Sequence, residues 1–281
     1  MKRFSLILVL FALFACCLPT FADGDENVKK FHEAIIKGDL PTVQAMIDGG
    51  QMNANSKLIG EKDRPLMLAI ISTKPDIVKY LIDKGADVNF VANQGLTPIM
   101  NAVGHMPIDI VKLLLEKGAK IDVANDDKMT PLHWAAYRGN SEAIALFLEK
   151  GANLKAISEN VMGLGGTPLH SAALGNRADA VKLLVEKGAS IDEQNQKGYT
   201  PLMLAARNGG LKTIETLLSL KANVNLANAD KKKAHQIAKE RLAEKLESAK
   251  KNPKYDEANP PQEIKDFQAV IDLLIKAGAA D

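Results

Sequence analysis

The chain has little of several things that would point to a chemical activity. Its two cysteines, Cys16 and Cys17, both lie in the apolar N-terminal segment, so after removal of that segment disulfides, cysteine-ligated metals and thiol catalysis are excluded. Aromatic residues make up 5% of the chain, with a single tryptophan. Neither charge sign dominates, since the chain has 36 basic and 34 acidic residues. Lys2 and Arg3 are the charged residues of the first 22, so the remainder balances at 34 (36 − 2) against 34. This balance gives no support for nucleic-acid binding, which relies on a clustered basic surface.

Residues 1–22 have the pattern of an export signal. A short basic start precedes an uncharged apolar run over residues 4–18, and Pro19 and the small residues Thr20 and Ala22 follow, just before Asp23. The run is shorter than the roughly 20 residues that a spanning helix needs. The pattern predicts a bacterial signal peptide cleaved after Ala22, and therefore an exported, periplasmic protein without a transmembrane span in its mature form.

A second interpretation of the same segment stays open. Residues 13–16 read Leu-Phe-Ala-Cys, which resembles a bacterial lipobox in which Cys16 would be lipidated and become the mature N-terminus. Phe14 is bulky for its position in that motif, so we expect soluble export. The alternative is an envelope lipoprotein or a secreted protein.

An internal repeat organises residues 23–281. An alanine and a glycine recur with the same separation of 16 residues in five successive units, and Ala205 and Lys221 keep that separation with lysine in place of glycine. The five pairs are Ala34 and Gly50, Ala69 and Gly85, Ala102 and Gly118, Ala135 and Gly151, Ala172 and Gly188. A threonine or arginine followed by proline precedes the alanine at positions 64, 97, 130, 167 and 200, in steps of 33, 33, 37 and 33. A fixed period of this length predicts a solenoid.

The clearest copy reads T-P-L-H-W-A-A at residues 130–136 and resembles the ankyrin repeat signature. The resemblance implies an all-α solenoid of about seven helix-turn-helix units, starting near 29, 64, 97, 130, 167, 200 and 233, with short hairpin fingers between them. The last unit is longer: residues 233 to 278 span 45 positions where residues 97 to 118 span 21, so 24 are extra. It is expected to form an extended C-terminal cap.

No residue pattern indicates catalysis, a cofactor or a metal. The five histidines are scattered over different units, and in the family the histidine at the His133 and His170 position links neighbouring backbone segments. The segment Gly-Leu-Gly-Gly at residues 163–166 is not preceded by the strand or followed by the lysine of a phosphate-binding loop, which favours a lengthened, projecting finger.

Residues 230–254 contain nine basic and four acidic residues. Interleaved glutamates favour a solvated capping helix, and contact with anionic envelope polymers or lipid is the alternative.

The resemblance implies a non-enzymatic binding surface on the finger tips and on the exposed side of the first helix of each unit, which are the positions that vary among ankyrin repeat proteins. The residues expected there to contact a partner are Phe90, Asn93, Gln94, Asp126, Asp127, Met129, Trp134, Tyr137, Arg138, Leu164, Tyr199, Arg207 and Asn208. Tryptophan, tyrosine and arginine are enriched in interface hot spots. We expect a monomer that binds a protein partner, an exported enzyme which it inhibits or protects; the alternative is a structural envelope or host-interaction protein.

Overall fold

The computed structural model describes residues 26–58, 64–159, 164–252, 255–257 and 259–279. The predicted signal peptide, with Cys16 and the cleavage position Ala22, lies outside the described residues. Those ranges contain fourteen α-helices, a short 3₁₀ turn at Asn93–Gly95 and no β-strand. The predicted all-α fold is confirmed, and the expected finger hairpins are turns without paired strands. None of the described helices is both long enough and apolar enough to cross a bilayer.

The helices alternate between an inner and an outer set, two to a unit. The inner helices are α1 (Glu26–Lys37), α3 (Pro65–Ile71), α5 (Pro98–His105), α7 (Pro131–Arg138), α9 (Pro168–Leu174), α11 (Pro201–Arg207) and α13 (Ala234–Lys250). The outer helices are α2 (Leu40–Asp48), α4 (Pro75–Asp83), α6 (Ile108–Glu116), α8 (Ser141–Glu149), α10 (Ala178–Glu186), α12 (Leu211–Ser219) and α14 (Gln262–Lys276). Each helix packs against its partner within the unit and against its counterparts in the neighbouring units, which makes a linear stack.

Proline starts five of the seven inner helices, α3, α5, α7, α9 and α11, because its missing N–H would have no partner in the first turn. The residue before it, such as Thr130 or Thr167, has extended backbone angles and ends the preceding loop. The Thr130 N–H donates to Nδ1 of His133 at 3.2 Å, so Nε2 carries the ring proton and donates to the Gly166 carbonyl at 3.0 Å. His170 makes the same bond to the Tyr199 carbonyl at 3.0 Å. Each histidine therefore ties the start of its helix to the loop of the next unit, as the family resemblance implies.

The core is a continuous layer between the two helix sets. Small side chains on the inner helices allow close packing, and Ala135, Ala136, Ala172 and Ala173 are fully buried. An apolar stripe on each outer helix faces them; its buried members include Ile77, Leu81, Ile110, Leu114, Val181 and Leu184. Because every unit buries its apolar face against its neighbours, stability comes from stacking and not from one central core.

The glycine that closes most outer helices is required by the backbone. Gly151 has a φ of 88°, and a β-carbon added to it would meet no atom within 4 Å, so conformation and not crowding selects glycine. The lysine that replaces glycine in the sixth unit adopts the same conformation, with a φ of 67° at Lys221. The repeat geometry therefore imposes a left-handed backbone on a residue that disfavours it.

The fingers are short turns, here defined as residues 92–96, 125–129, 158–166, 195–199 and 228–232. The first N–H of each donates to the last carbonyl, as from Asn125 to Met129 at 3.0 Å. Neighbouring fingers are also joined: Asp126 N–H donates to the Gln94 carbonyl at 3.1 Å, and Glu159 N–H to the Asp127 carbonyl at 2.9 Å. The fingers thus form one hydrogen-bonded row along the stack.

The extra residues of the last unit lengthen its inner helix. Helix α13 has 17 residues where α9 has 7, and its charged second half is paired within the unit. Lys245 Nζ lies 2.6 Å from Glu263 Oε1, and Lys250 Nζ lies 2.9 Å from Glu257 Oε1. Arg241 forms an ion pair with Glu244. This internal pairing fits the solvated capping helix. The closing helix α14 buries Phe267, Val270, Ile271 and Leu274 on one face.

Candidate functional site

One side of helix α7 carries the most distinctive exposed group of the stack. Trp134, Tyr137 and Arg138 are partly exposed, whereas Leu132, Ala135 and Ala136 are fully buried. Residues three and four apart share a face of a helix, so the first three side chains lie together on its partly exposed side, where Trp134 and Tyr137 also pack against the edge of the core. The structure therefore brings together three of the predicted contact residues.

The equivalent face is open in only part of the stack. Leu68 and Asn101 occupy the Trp134 position in the second and third units and are partly exposed. In the fifth, sixth and seventh units the same position is buried, with exposures of 3%, 0% and 3% for Ser171, Leu204 and Ile237. Glu33 occupies this position in the first unit and is exposed, so the inner-helix face is open in units one to four, with Trp134 at one end.

Arg138 is held between Trp134 and the preceding unit. Its guanidinium carbon lies 5.9 Å from the centre of the Trp134 ring, a cation–π distance. A β-carbon on Gly104 would lie 3.0 Å from Arg138 Nε, so glycine leaves room for the arginine to cross the unit boundary. The pKa of the nearby His105 is lowered, mainly by burial and further by the positive charge of Arg138.

The group formed by Trp134, Tyr137 and Arg138, here called the α7 cluster, contains hydrogen-bond donors that have no acceptor among the described residues. Trp134 Nε1 and Arg138 Nε are both buried without a hydrogen-bond partner among the described residues. An unpaired buried donor costs free energy, about 1–3 kcal/mol in mutational series. Natural proteins keep few such groups, so two on one side of α7 single out this cluster as a place that an acceptor-bearing partner would complete.

The predicted finger-tip residues form a second, adjoining group. Asn93, Gln94 and Asp126 are exposed and Asp127 is half-buried. Burial raises the pKa of Asp127, and the neighbouring carboxylate of Asp126 adds to the effect. Lys128 pairs with Glu159 of the next finger, which leaves both aspartates without an ion pair among the described residues. The finger row is therefore acidic at its middle.

Phe90, Tyr199, Arg207 and Asn208 are placed separately from the α7 cluster. Phe90 is half-buried under Arg64, whose guanidinium carbon lies 5.1 Å from the ring centre. Tyr199 and Arg207 are half-buried in later units. The exposed Asn208 connects two units, because its side-chain amide donates a hydrogen bond to the Leu174 carbonyl at 2.7 Å.

Two predicted contact residues are not on the surface. Met129 is 5% exposed and Leu164 is 6% exposed, so the expectation that their side chains face a partner is wrong. Met129 closes its finger and turns its side chain into the core. Leu164 lies where the longer finger returns to the stack, and its carbonyl accepts a hydrogen bond from Asn195 Nδ2 at 3.0 Å.

The lengthened finger is also anchored more firmly than a freely projecting loop. Asn195 Nδ2 donates to the Gly165 carbonyl at 2.7 Å as well, and a β-carbon on Gly165 would lie 2.1 Å from the Ser158 carbonyl oxygen. Glycine is therefore required there by close backbone contact. The tip of this finger, residues 160–163, lies outside the described residues.

Sequence reasoning did not identify the basic residues at the junctions between inner and outer helices. Lys74 and Arg177 each immediately precede an outer helix, and Arg177 Nε donates to the Tyr137 carbonyl at 3.1 Å. The signal available in the sequence was their position, nine residues after the proline that begins each unit. In the ranges that the structure covers, no group of three or more His, Cys, Asp or Glu side chains is arranged to hold a metal ion.

Comparison with known proteins agrees with this architecture. A family model described as ankyrin repeats (3 copies) matches residues 31–125, 94–158, 121–195 and 156–228. The structure is similar to the human ASB11 ankyrin repeat domain, with a TM-score of 0.66 and 29% identity over 89% of this chain and 98% of that one. It is also similar to the Bcl-3 ankyrin repeat domain, with a TM-score of 0.59 and 28% identity over 77% and 95% of the two chains.

Two curated relatives share only a short segment. The palmitoyltransferase AKR1 of Naumovozyma castellii is 42% identical over 60 residues, and that of Candida glabrata is 37% identical over 65. The matches cover 21% and 23% of this chain and 8% of each relative, which is the length of about two repeats. The family match and the stacked helix pairs lead to one conclusion: the chain belongs to the ankyrin repeat family, whose fold is generally a non-catalytic module for binding other proteins.

Proposed function

We propose that this protein binds a protein partner through the open inner-helix face of units one to four and the finger row beside it. The observation that carries the proposal is the α7 cluster of Trp134, Tyr137 and Arg138. Its large side chains are partly exposed, and two of its donors are buried and unpaired. Such side chains bury much area at small entropic cost, which is why they dominate interface energies.

The partner that we propose is an exported enzyme, which this protein inhibits or protects in the bacterial periplasm. The proposal is supported by the N-terminal pattern of residues 1–22 and by the absence of cysteine after them, since an oxidising compartment leaves such a chain unchanged. An open inner-helix face that extends over several consecutive units suits docking on a folded protein. The second candidate is a structural envelope or host-interaction role, with a lipid at Cys16.

Affinity capture from envelope extract tests the site and the partner together. The full chain carries a C-terminal tag and is compared with the double variant Tyr137→Ala with Arg138→Ala. The matched control is Tyr255→Ala with Lys251→Ala, which removes one tyrosine and one cation from the last unit. We expect wild type and control to retain one exported enzyme, and the α7 variant to bind it at least about 30-fold more weakly, the cost of losing a hot spot.

The captured enzyme is then purified and assayed with and without the wild-type chain. A change in its activity or thermal stability with wild type, absent with the α7 variant, supports the inhibitor or protective role. Trp134 is the chain's only tryptophan, so its emission reports contact at the cluster directly. Equal capture by all three proteins contradicts the site, and capture of abundant envelope proteins in place of one enzyme favours the structural role.

A further inference from the structure

A row of basic side chains follows the junctions between inner and outer helices. We call Lys74, Arg138, Arg177 and Arg207 the basic ridge; they come from the second, fourth, fifth and sixth units, and the third unit supplies His105 at the same junction. None of the four ridge residues forms an ion pair among the described residues, although many other lysines of the chain do. The ridge is therefore an uncompensated line of positive charge.

Neighbouring glycines align the ridge side chains along the stack. A β-carbon on Gly38 would lie 3.0 Å from Lys74 Cδ, and one on Gly139 would lie 2.8 Å from Arg177 Cδ. A β-carbon on Gly104 would likewise lie 3.0 Å from Arg138 Nε. In these three cases the basic side chain lies across the junction of the preceding unit, so Lys74, Arg138 and Arg177 follow one another in a line that passes the α7 cluster. Arg207 lies in the last turn of α11, as Arg138 does in α7.

Helix stability accounts for only part of the ridge. Arg138 ends an inner helix and Arg177 Nε donates to the Tyr137 carbonyl in the last turn of α7, and both are favourable places for a cation. Lys74 and Arg177 also occupy the N-cap position of outer helices, where a cation is unfavourable. The acidic residues that follow in sequence, Asp76, Glu142 and Asp179, lie in the first turns of outer helices, and among the described residues none of them forms an ion pair with the ridge. Asp179 instead approaches Lys212 at 3.9 Å.

We infer that the basic ridge binds an extended, acidic polypeptide segment of the partner, which runs along the stack beside the α7 cluster. Packed helices lie about 8–10 Å apart, and three residues of extended chain span about 9–10 Å. A carboxylate at every third residue would therefore advance by one unit at a time and would meet a basic side chain in the second, fourth, fifth and sixth units. Arginine suits this task because its planar guanidinium can hold a carboxylate through two hydrogen bonds.

The inference rests on the proposed function only in taking the ligand to be a protein. A synthetic peptide of about 15 residues with the repeating sequence Glu-Ser-Pro, which spans roughly 45 Å when extended, tests it. The comparison peptide has glutamine in place of glutamate. Dextran sulfate and phosphatidylglycerol vesicles serve as anionic ligands that are not polypeptides. Binding to the full chain is measured by calorimetry and by Trp134 emission at two salt concentrations.

Three double variants separate charge from fold. Arg138→Gln with Arg177→Gln removes two ridge charges, and Arg138→Lys with Arg177→Lys keeps them. Lys120→Gln with Lys155→Gln removes two exposed charges from adjacent units at the opposite end of the helices. We expect the glutamate peptide to bind at least about tenfold more weakly to the glutamine ridge variant, with a smaller loss in the lysine variant, which keeps the charge but not the two-hydrogen-bond geometry, and with affinity kept in the control. Thermal melting verifies that each variant is folded.

Several results would overturn the inference: no binding of the glutamate peptide to the folded wild type, equal binding of the glutamine peptide, or an equal loss in the control variant. Binding of dextran sulfate or vesicles without binding of the peptide would assign the ridge to another kind of anion and would also reject it. If the α7 variant loses the captured partner while the peptide does not bind wild type, the ridge inference fails and the proposed function stands.

Discussion

The Nε2 atom of His133 lies 3.0 Å from the carbonyl oxygen of Gly166 in the next unit, and the imidazole is fully buried between them. Nδ1 accepts the Thr130 N–H, so the ring fits its place only as the neutral tautomer. Burial lowers the pKa of His133 to about 4. The bond that ties one unit to the next therefore depends on pH.

We expect the protein to lose stability between pH 6.5 and pH 4. The unfolded chain takes up the proton first because its histidine has the higher pKa, so the stabilisation is complete above pH 6.5 and is lost as the pH falls towards the folded value. A pKa difference of about 2.5 corresponds to roughly 3 kcal/mol for His133 alone. Urea unfolding at pH 7 and pH 4.5 measures the loss.

The variant His133→Gln is the control for this pH dependence. It is less stable at pH 7, but its loss between pH 7 and pH 4.5 should be smaller than that of wild type, because one buried titrating group is gone. His170, whose pKa is lowered for the same reason, still contributes in both proteins. An identical pH dependence in the two proteins would show that His133 does not titrate in this range.

Lys221→Gly should stabilise the protein. Lys221 has a φ of 67°, in the left-handed region that costs a non-glycine residue about 1 kcal/mol or more. Glycine removes that strain and loses part of the gain through the larger entropy of the unfolded chain, so we expect up to about 1 kcal/mol from chemical denaturation. The control is Lys187→Gly, at a φ of −85°, which should destabilise. Stabilisation by both changes would contradict the explanation.

Asn195→Ala should destabilise the longer finger and the unit that follows it. Its side chain donates to the Leu164 and Gly165 carbonyls and accepts the Lys197 and Tyr199 N–H groups. Losing these bonds from a half-buried position should cost about 2–3 kcal/mol of unfolding free energy. Gln196→Ala, one residue on and exposed, should change it by less than about 0.5 kcal/mol. Equal effects would mean that the finger contributes little to stability.

Mass spectrometry of the chain expressed in a bacterium with its own N-terminus should find a mature protein that begins at Asp23. Small residues at Thr20 and Ala22 favour cleavage there. A mature chain that begins with a lipid-modified Cys16 would establish the lipoprotein alternative, and Cys16→Ser would then abolish the modification. A chain that keeps Met1 and stays inside the cell would reject export altogether.

Much of the local architecture could be predicted from the sequence because its causes are local. Proline starts most inner helices, alanine pairs let them pack, and a residue such as Gly151 ends the outer helices for reasons that lie within one unit. The period then repeats these signals until the fold class is clear. The role of the histidines also followed, since the motif that contains His133 and His170 carries it.

The binding surface was predicted less well, because burial at one position depends on the neighbouring units. Trp134 is partly exposed, but Leu204 at the equivalent position is completely buried, where α11 packs against the long helix α13. Met129 and Leu164 belong to fingers, but their side chains are buried. A repeat specifies which side chains occupy a position, and only the assembled stack decides which of them remain accessible.

The sequence by itself determined the family, the number and order of the helices, and the turns where the chain must reverse, because these follow from short-range sterics and apolar periodicity. The tertiary structure alone decided that Arg138 lies over Gly104 beside Trp134, and that Lys74 and Arg177 continue its line from unit to unit. Those relationships join residues about 30 to 40 positions apart, and they arise only when stacking places the units in register.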